Sequence, residues 1–322
     1  MTASAGIGLV LLALAGCQQV TQLGGEIVGQ AAYQTTYDRE YKRALKRGAS
    51  DAEARQLAAA AAGKESGRQK ELVAGVGDVA SSAGEIDYDS EVAIGQSLAL
   101  EGFKRYGLPV ADPELQRYVN FVGDAVARNS ARPDIPYHFV VVDSPLYNAF
   151  ACPGGIIFVS STLVKVMKDE AELAGVLAHE VGHVSRRHAL QSIRRARFFE
   201  GVGKITAASL KGDKGQQFQS LIGDLQSVLF DKGLDKGMEY EADAAAIETA
   251  YRTGYDPEGF LRVLKALKAA QAKATKEGSW FSTHPPLETR LSRCTEQVAG
   301  LGPVAGLAAP VDRFARYRKR VP

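Results

Sequence analysis

The 322-residue chain has no apolar run long enough to cross a bilayer as a helix, which takes about 20 residues. It also lacks a large charge of one sign, since 39 Lys and Arg face 37 Asp and Glu and leave a net charge of +2. Nucleic-acid binders normally show a strong basic excess, so no nucleic-acid partner is expected. Cysteine is scarce, at three, and no CxxC pair occurs, which removes cysteine-based zinc modules. GxGxxG and phosphate-loop patterns are missing, as are internal repeats.

What is present begins with Ile7 to Ala15, a run with the length of a secretory signal's apolar core. No Lys or Arg precedes it. The end of the run, Leu14-Ala15-Gly16-Cys17, resembles a bacterial lipobox, whose cysteine is acylated. The resemblance implies a signal peptide at 1–16, lipidation of Cys17 and attachment to a membrane through that lipid. Gln18 after the cysteine then implies a periplasmic protein anchored to the outer membrane of a Gram-negative cell. Residues 17–88, rich in Ala, Gly, Gln and charge, read as a spacer or helical extension. Residues 301–322, with Arg313, Arg316, Arg318, Lys319 and Arg320, read as a basic tail, either solvated or resting on anionic lipid.

Residues 89–300 carry the periodic patterns of a folded domain. Asp112-Pro113 announces a helix that buries Leu115, Val119, Val122 and Val126 and ends near Asn129. Strands are expected at Tyr137 to Val142 and, after Pro153-Gly154-Gly155, at Ile156 to Ser160, with Asn148 to Phe150 in the loop between them. Helices follow from Asp169 to Phe199, from Leu234 to Tyr251, from Asp256 to Lys276 and, as the last, from Pro286. The fold class is therefore α+β, helix-rich, with a small antiparallel sheet. Cys152 and Cys294 permit a disulfide in an oxidising compartment, although the stripe of Leu287, Leu291, Cys294 and Val298 suits a buried free thiol.

His179-Glu180-Val181-Gly182-His183 is HExxH. Four residues of helix turn through about 400°, so both imidazoles leave one face a turn apart, the separation that grips one zinc ion. Glu180 lies beside the metal as candidate general base. The helix's apolar stripe of Leu173, Val176, Leu177 and Val184 places these three polar groups inward, where an unpaired carboxylate is costly. A third histidine ligand at metzincin spacing is excluded, because Arg186 and Ala189 stand where Gly and His are required. His188 reads as a neighbour of the ligands or as helix surface. The third ligand is then a carboxylate on another helix, and Glu239 supplies it on a stripe with Ala242, Asp243, Ala246, Ile247 and Ala250. Asp243, one turn on, is placed to accept the free N–H of a ligating histidine.

HExxH, Glu239-Tyr240-Glu241-Ala242-Asp243, Asn148 to Gly155, and His284-Pro285 with Arg290 together resemble the HtpX and CAAX-prenyl-protease family of gluzincin-type metallopeptidases. The resemblance covers about residues 90 to 295 and implies a zincin-like fold, one zinc per chain, Glu239 as third ligand and a strand beside the cleft. It points to the periplasmic lipoprotein branch, whose expected substrates are unfolded or misassembled envelope polypeptides. Ile156 to Ser160 is the candidate strand for pairing with them. His284, Arg290, Tyr240 and Asn148 are candidates for contacts to substrate or oxyanion, with His284 either assisting catalysis or blocking the metal. The alternative function is a zinc-binding, chaperone-like module with little turnover.

Overall fold

A computed structural model describes residues 40–64 apart from 41 and 52, 86–193, 214–271, 280–284 and 287–322. The signal segment and Cys17 lie outside the described residues. The chain forms two compact units, Met1–Ala93 with Ala207–Ser220, and Ile94–Thr206 with Leu221–Pro322. The described part of the first is helical at 42–46 and 53–64, with Ala54, Ala58 and Ala62 buried at helical spacing. No helix among the described residues is long and apolar enough to cross a membrane.

The elements run α1 (Tyr88–Tyr106), α2 (Pro113–Ala127), β1 (His138–Val142), β2 (Ala149–Cys152), β3 (Ile156–Ser160), α3 (Ser161–Val166), α4 (Glu170–Ser185), α5 (Lys214–Gln226), α6 (Lys236–Thr253), α7 (Glu258–Gln271), α8 (Trp280–Thr283), α9 (Leu287–Ala299) and α10 (Val311–Arg318). Helix α4 is the centre of the second unit, packed on α2, α6, α7 and the sheet. Asp169 starts it by accepting the Glu172 N–H at 2.9 Å, and Glu170 and Glu172 sit favourably at its positive end. All 16 of its residues are buried, not one stripe alone, because neighbours surround it. Two glycines make the close packing possible. A Cβ on Gly175 would stand 2.8 Å from the Phe260 Cβ on α7, and one on Gly182 would stand 3.1 Å from the Ala245 Cβ on α6.

The sheet is mixed rather than antiparallel, with strand order β1-β3-β2. Strand β2, expected as loop, pairs antiparallel with β3, and β1 pairs parallel with it. The reason lies in Pro153-Gly154-Gly155, where Gly154 (φ 79°) and Gly155 (φ 105°) take left-handed conformations that fold β3 back along β2. Strand β3 is therefore central, and both of its edges are occupied. The outer edge of β1 is closed by side chains of α2: Gln116 bonds the Val141 N–H and C=O, and Asn120 bonds those of Phe139. Beyond its bonds to β3, the remaining edge is that of β2.

The helix expected over 169–199 breaks after Ser185, and its expected end at 194–199 lies outside the described residues. Arg187 takes a left-handed φ of 54°, which costs a residue with a Cβ about 1–2 kcal/mol, and helix resumes at 188–193. Helix α9 is not the last, because α10 follows it. The basic segment expected as a tail is thus docked: Phe314 is fully buried, Tyr317 stacks on Tyr118 at 4.0 Å and Arg320 pairs with Asp112 at 2.9 Å. Buried Glu170 explains the attraction. It accepts from Tyr118 Oη at 2.8 Å, Tyr255 Oη at 2.6 Å and Arg313 Nε at 2.6 Å, so part of the basic segment is the counter-charge of the start of α4.

Candidate active site

Helix α4 presents His179, Glu180 and His183, α6 presents Glu239 and Asp243, and His284 follows α8. One ligand atom from each of His179, His183, Glu239 and His284 lies within 4.8 Å of the others, and all four residues are buried. The two helical histidines meet at their Nε2 atoms, 3.0 Å apart. Glu239 approaches them at 3.8 Å from His179 Nε2 and 3.5 Å from His183 Nε2. Glu180 sits on the His284 side, its Oε1 3.8 Å from that ring's Nε2.

The placement of hydrogen-bond partners shows what the cluster requires. His179 Nδ1 lies 3.0 Å from Asp243 Oδ1, so this nitrogen faces the carboxylate and Nε2 faces the centre. Among the described residues, neither carboxylate oxygen of Glu180 or Glu239 has a hydrogen-bond partner. Arg290 Nη1 stands 3.0 Å from Glu239 Oε2, but at an angle that makes an ion pair only. Buried acceptors facing one another without donors are unfavourable unless a cation joins them. Two imidazole nitrogens and a carboxylate are the donor set of a catalytic zinc site, so these residues fit that metal.

The electrostatics agree. Burial pushes Glu180 up to about 8 and Glu239 well above the usual carboxylate range. Burial likewise lowers His179 to about 4 and holds His183 and His284 well below the ordinary histidine value, so these rings are neutral and able to ligate. Asp243 behaves differently. Burial raises it, yet the Arg290 charge and hydrogen bonds from His179 and Arg290 outweigh that and hold it at about 2.

The remaining candidates separate. Arg290, fully buried, donates from Nε and Nη2 to Asp243 at 2.8 and 2.6 Å and from Nη1 to the His284 carbonyl at 3.0 Å. Its donors are committed to holding carboxylates beneath the cluster. Tyr240 is half-buried with Arg293 over its ring at 4.6 Å, and it is not part of the cluster. Asn148 leads into β2, its N–H bonded to Ser160 Oγ and its side chain to Tyr106. Cys152 and Cys294 are both free and buried, and burial, then the Glu180 charge, pushes the Cys152 thiol upward. Trp280 escaped the sequence reading. It stacks on His284 at 4.0 Å, and its signal was its place one helical turn before that histidine. His188 is a neighbour of the cluster and not helix surface, fully buried with its Nδ1 2.9 Å from His183 Nδ1.

A model of peptidase family M48 matches residues 113–298. The chain is 30% identical over 251 residues to the beta-barrel assembly-enhancing protease of Yersinia pestis, an alignment covering 75% of this chain and 51% of that protein. It is 29% identical over 219 residues to the mitochondrial metalloendopeptidase OMA1 of Schizosaccharomyces pombe, covering 66% and 62%. With the metalloprotease LoiP of Escherichia coli (strain K12) it shares 27% over 192 residues, covering 60% and 74%. The chain spans about half the length of the beta-barrel assembly-enhancing proteases that it matches.

Proposed function

The chain belongs to peptidase family M48, and from that premise we propose that it is a zinc endopeptidase acting on unfolded or misassembled polypeptides of the cell envelope. The observation that carries the reading is the buried meeting of His179, His183 and Glu239 as acceptors, with the unbonded carboxylate of Glu180 beside them. His179 and His183 through Nε2, and Glu239 through its carboxylate, would hold the ion. Zinc in such a site acts as a Lewis acid, polarising a scissile carbonyl and making water a nucleophile near neutral pH. Glu180 takes the proton of the attacking water and returns it to the leaving amine nitrogen. Asp243 and Arg290 keep the His179 ring in register. His284 is the fourth residue of the cluster, and if it ligated the ion its ring would have to leave for a substrate carbonyl to take that place.

The test of the site is metal analysis. The full chain is expected to carry one zinc, and Glu239→Ala to lose it. Undiminished zinc in that variant would place the third ligand elsewhere. For the substrate, β3 is paired on both sides, so an extended peptide could add only along β2, whose four residues are buried in this structure and would first have to be uncovered. Backbone pairing selects little by side chain, which suits an enzyme meeting unfolded chains.

The names of the beta-barrel assembly-enhancing relatives and the lipobox resemblance support a periplasmic protein anchored at the outer membrane through Cys17. Cys17→Ala is expected to move the protein from the membrane fraction to the soluble fraction. A variant that stays with the membrane counts against the lipid anchor.

A further inference from the structure

His188 is a buried imidazole for which the proposed chemistry has no task. On an unbroken helix a residue five positions on is rotated about 140° away. His188 would then point away from His183. Instead the chain leaves the helix at Arg186 and Arg187, the latter at φ 54°, and re-enters helix with His188 folded back onto the ligand ring. The result is a line of three groups. His183 Nδ1 meets His188 Nδ1 at 2.9 Å, and His188 Nε2 meets Glu241 Oε2 at 3.3 Å. Glu241 lies at the surface, its side chain 60% exposed.

Hydrogen-bond polarity gives this line one workable direction. The Glu241 carboxylate oxygen accepts, so the His188 proton sits on Nε2 and its Nδ1 is a lone pair. His183 must then donate from Nδ1, which leaves its own Nε2 as a lone pair facing His179 and Glu239. The opposite arrangement would put a proton on His183 Nε2, 3.0 Å from His179 Nε2, and abolish ligation. We propose that His188, backed by Glu241, is a positioning residue that fixes the tautomer and orientation of His183 for metal binding, as Asp243 does for His179. The inference rests on the zinc-site reading above. It adds to that reading a second, separate orienting chain that runs to the protein surface.

The test is zinc affinity of the full chain, measured by competition with a chelating dye, with helix content checked by circular dichroism. His188→Leu, which removes the acceptor, is expected to weaken zinc binding about 10–100-fold. His188→Asn, whose Oδ1 stands in the place of Nδ1, is expected to recover most of that loss, which a merely space-filling role would not produce. Glu241→Ala, a surface change, is expected to show a smaller loss. A folded His188→Leu with wild-type affinity overturns the proposal, as does an Asn variant no better than Leu. If His188→Leu does not fold, unchanged affinity in Glu241→Ala overturns it. Absence of zinc from the wild-type chain, or its persistence in Glu239→Ala, would instead mark failure of the zinc-site reading itself.

Discussion

Glu180→Gln is expected to lower casein cleavage by about 10²–10⁴-fold, the usual worth of a positioned general base, while one zinc remains bound. The exchange is nearly isosteric. It removes a carboxylate that is fully buried and has no hydrogen-bond partner among the described residues, so the fold loses little. A buried, unpaired carboxylate is a cost that structure alone does not explain, and a role in proton transfer does. The same variant separates the peptidase from a chaperone-like binder, which would hold unfolded chains equally well after the substitution. Casein cleavage surviving in Glu180→Gln would sink the mechanism, and cleavage absent from the wild type as well would favour the binder. The inactive variant should also retain substrates, which makes it a trap for identifying them.

Much of this site was legible because helices impose a period. His179 and His183 lie one turn apart, and Glu239 and Asp243 repeat that spacing on α6, so polar groups interrupting apolar stripes could be paired before any contact was known. The failures have a common cause in non-local demand. Nothing local marks the break in α4, since Arg186 and Arg187 are neither Gly nor Pro, and what the break achieves, the contact between His183 and His188, is not visible in the sequence. Strand β2 is four residues, too short for alternation to be judged, and its signal was the glycine turn that joins it to β3. The C-terminal basic run read as a tail, solvated or on anionic lipid, because its partner, Glu170, lies 143 positions earlier. Trp280 and Arg290 are likewise defined by what they cover.

Arg290 carries the largest expected effect on stability. Its guanidinium is fully buried and spans Asp243 by two hydrogen bonds, the His284 carbonyl by a third and Glu239 by charge. Removing one partner from such a cluster strands the others, so Arg290→Met is expected to cost about 3–5 kcal/mol of unfolding free energy. Denaturant unfolding of the zinc-free chain measures it without the metal's contribution. Arg290→Lys should recover little, because an ammonium cannot reproduce a planar fork that serves two carboxylates and a carbonyl at once. The second substitution Asp243→Asn, made in the Arg290→Met background, should restore part of the loss by removing a stranded charge. If Arg290→Met unfolds like the wild type, the carboxylates of α6 are held by something other than this arginine. The outcome also bears on the proposed metal site, because Asp243 Oδ1 lies 3.0 Å from His179 Nδ1, on the far side of that ring from the cluster. If Arg290 acts on the metal through Asp243, its loss is expected to weaken stability and metal affinity together.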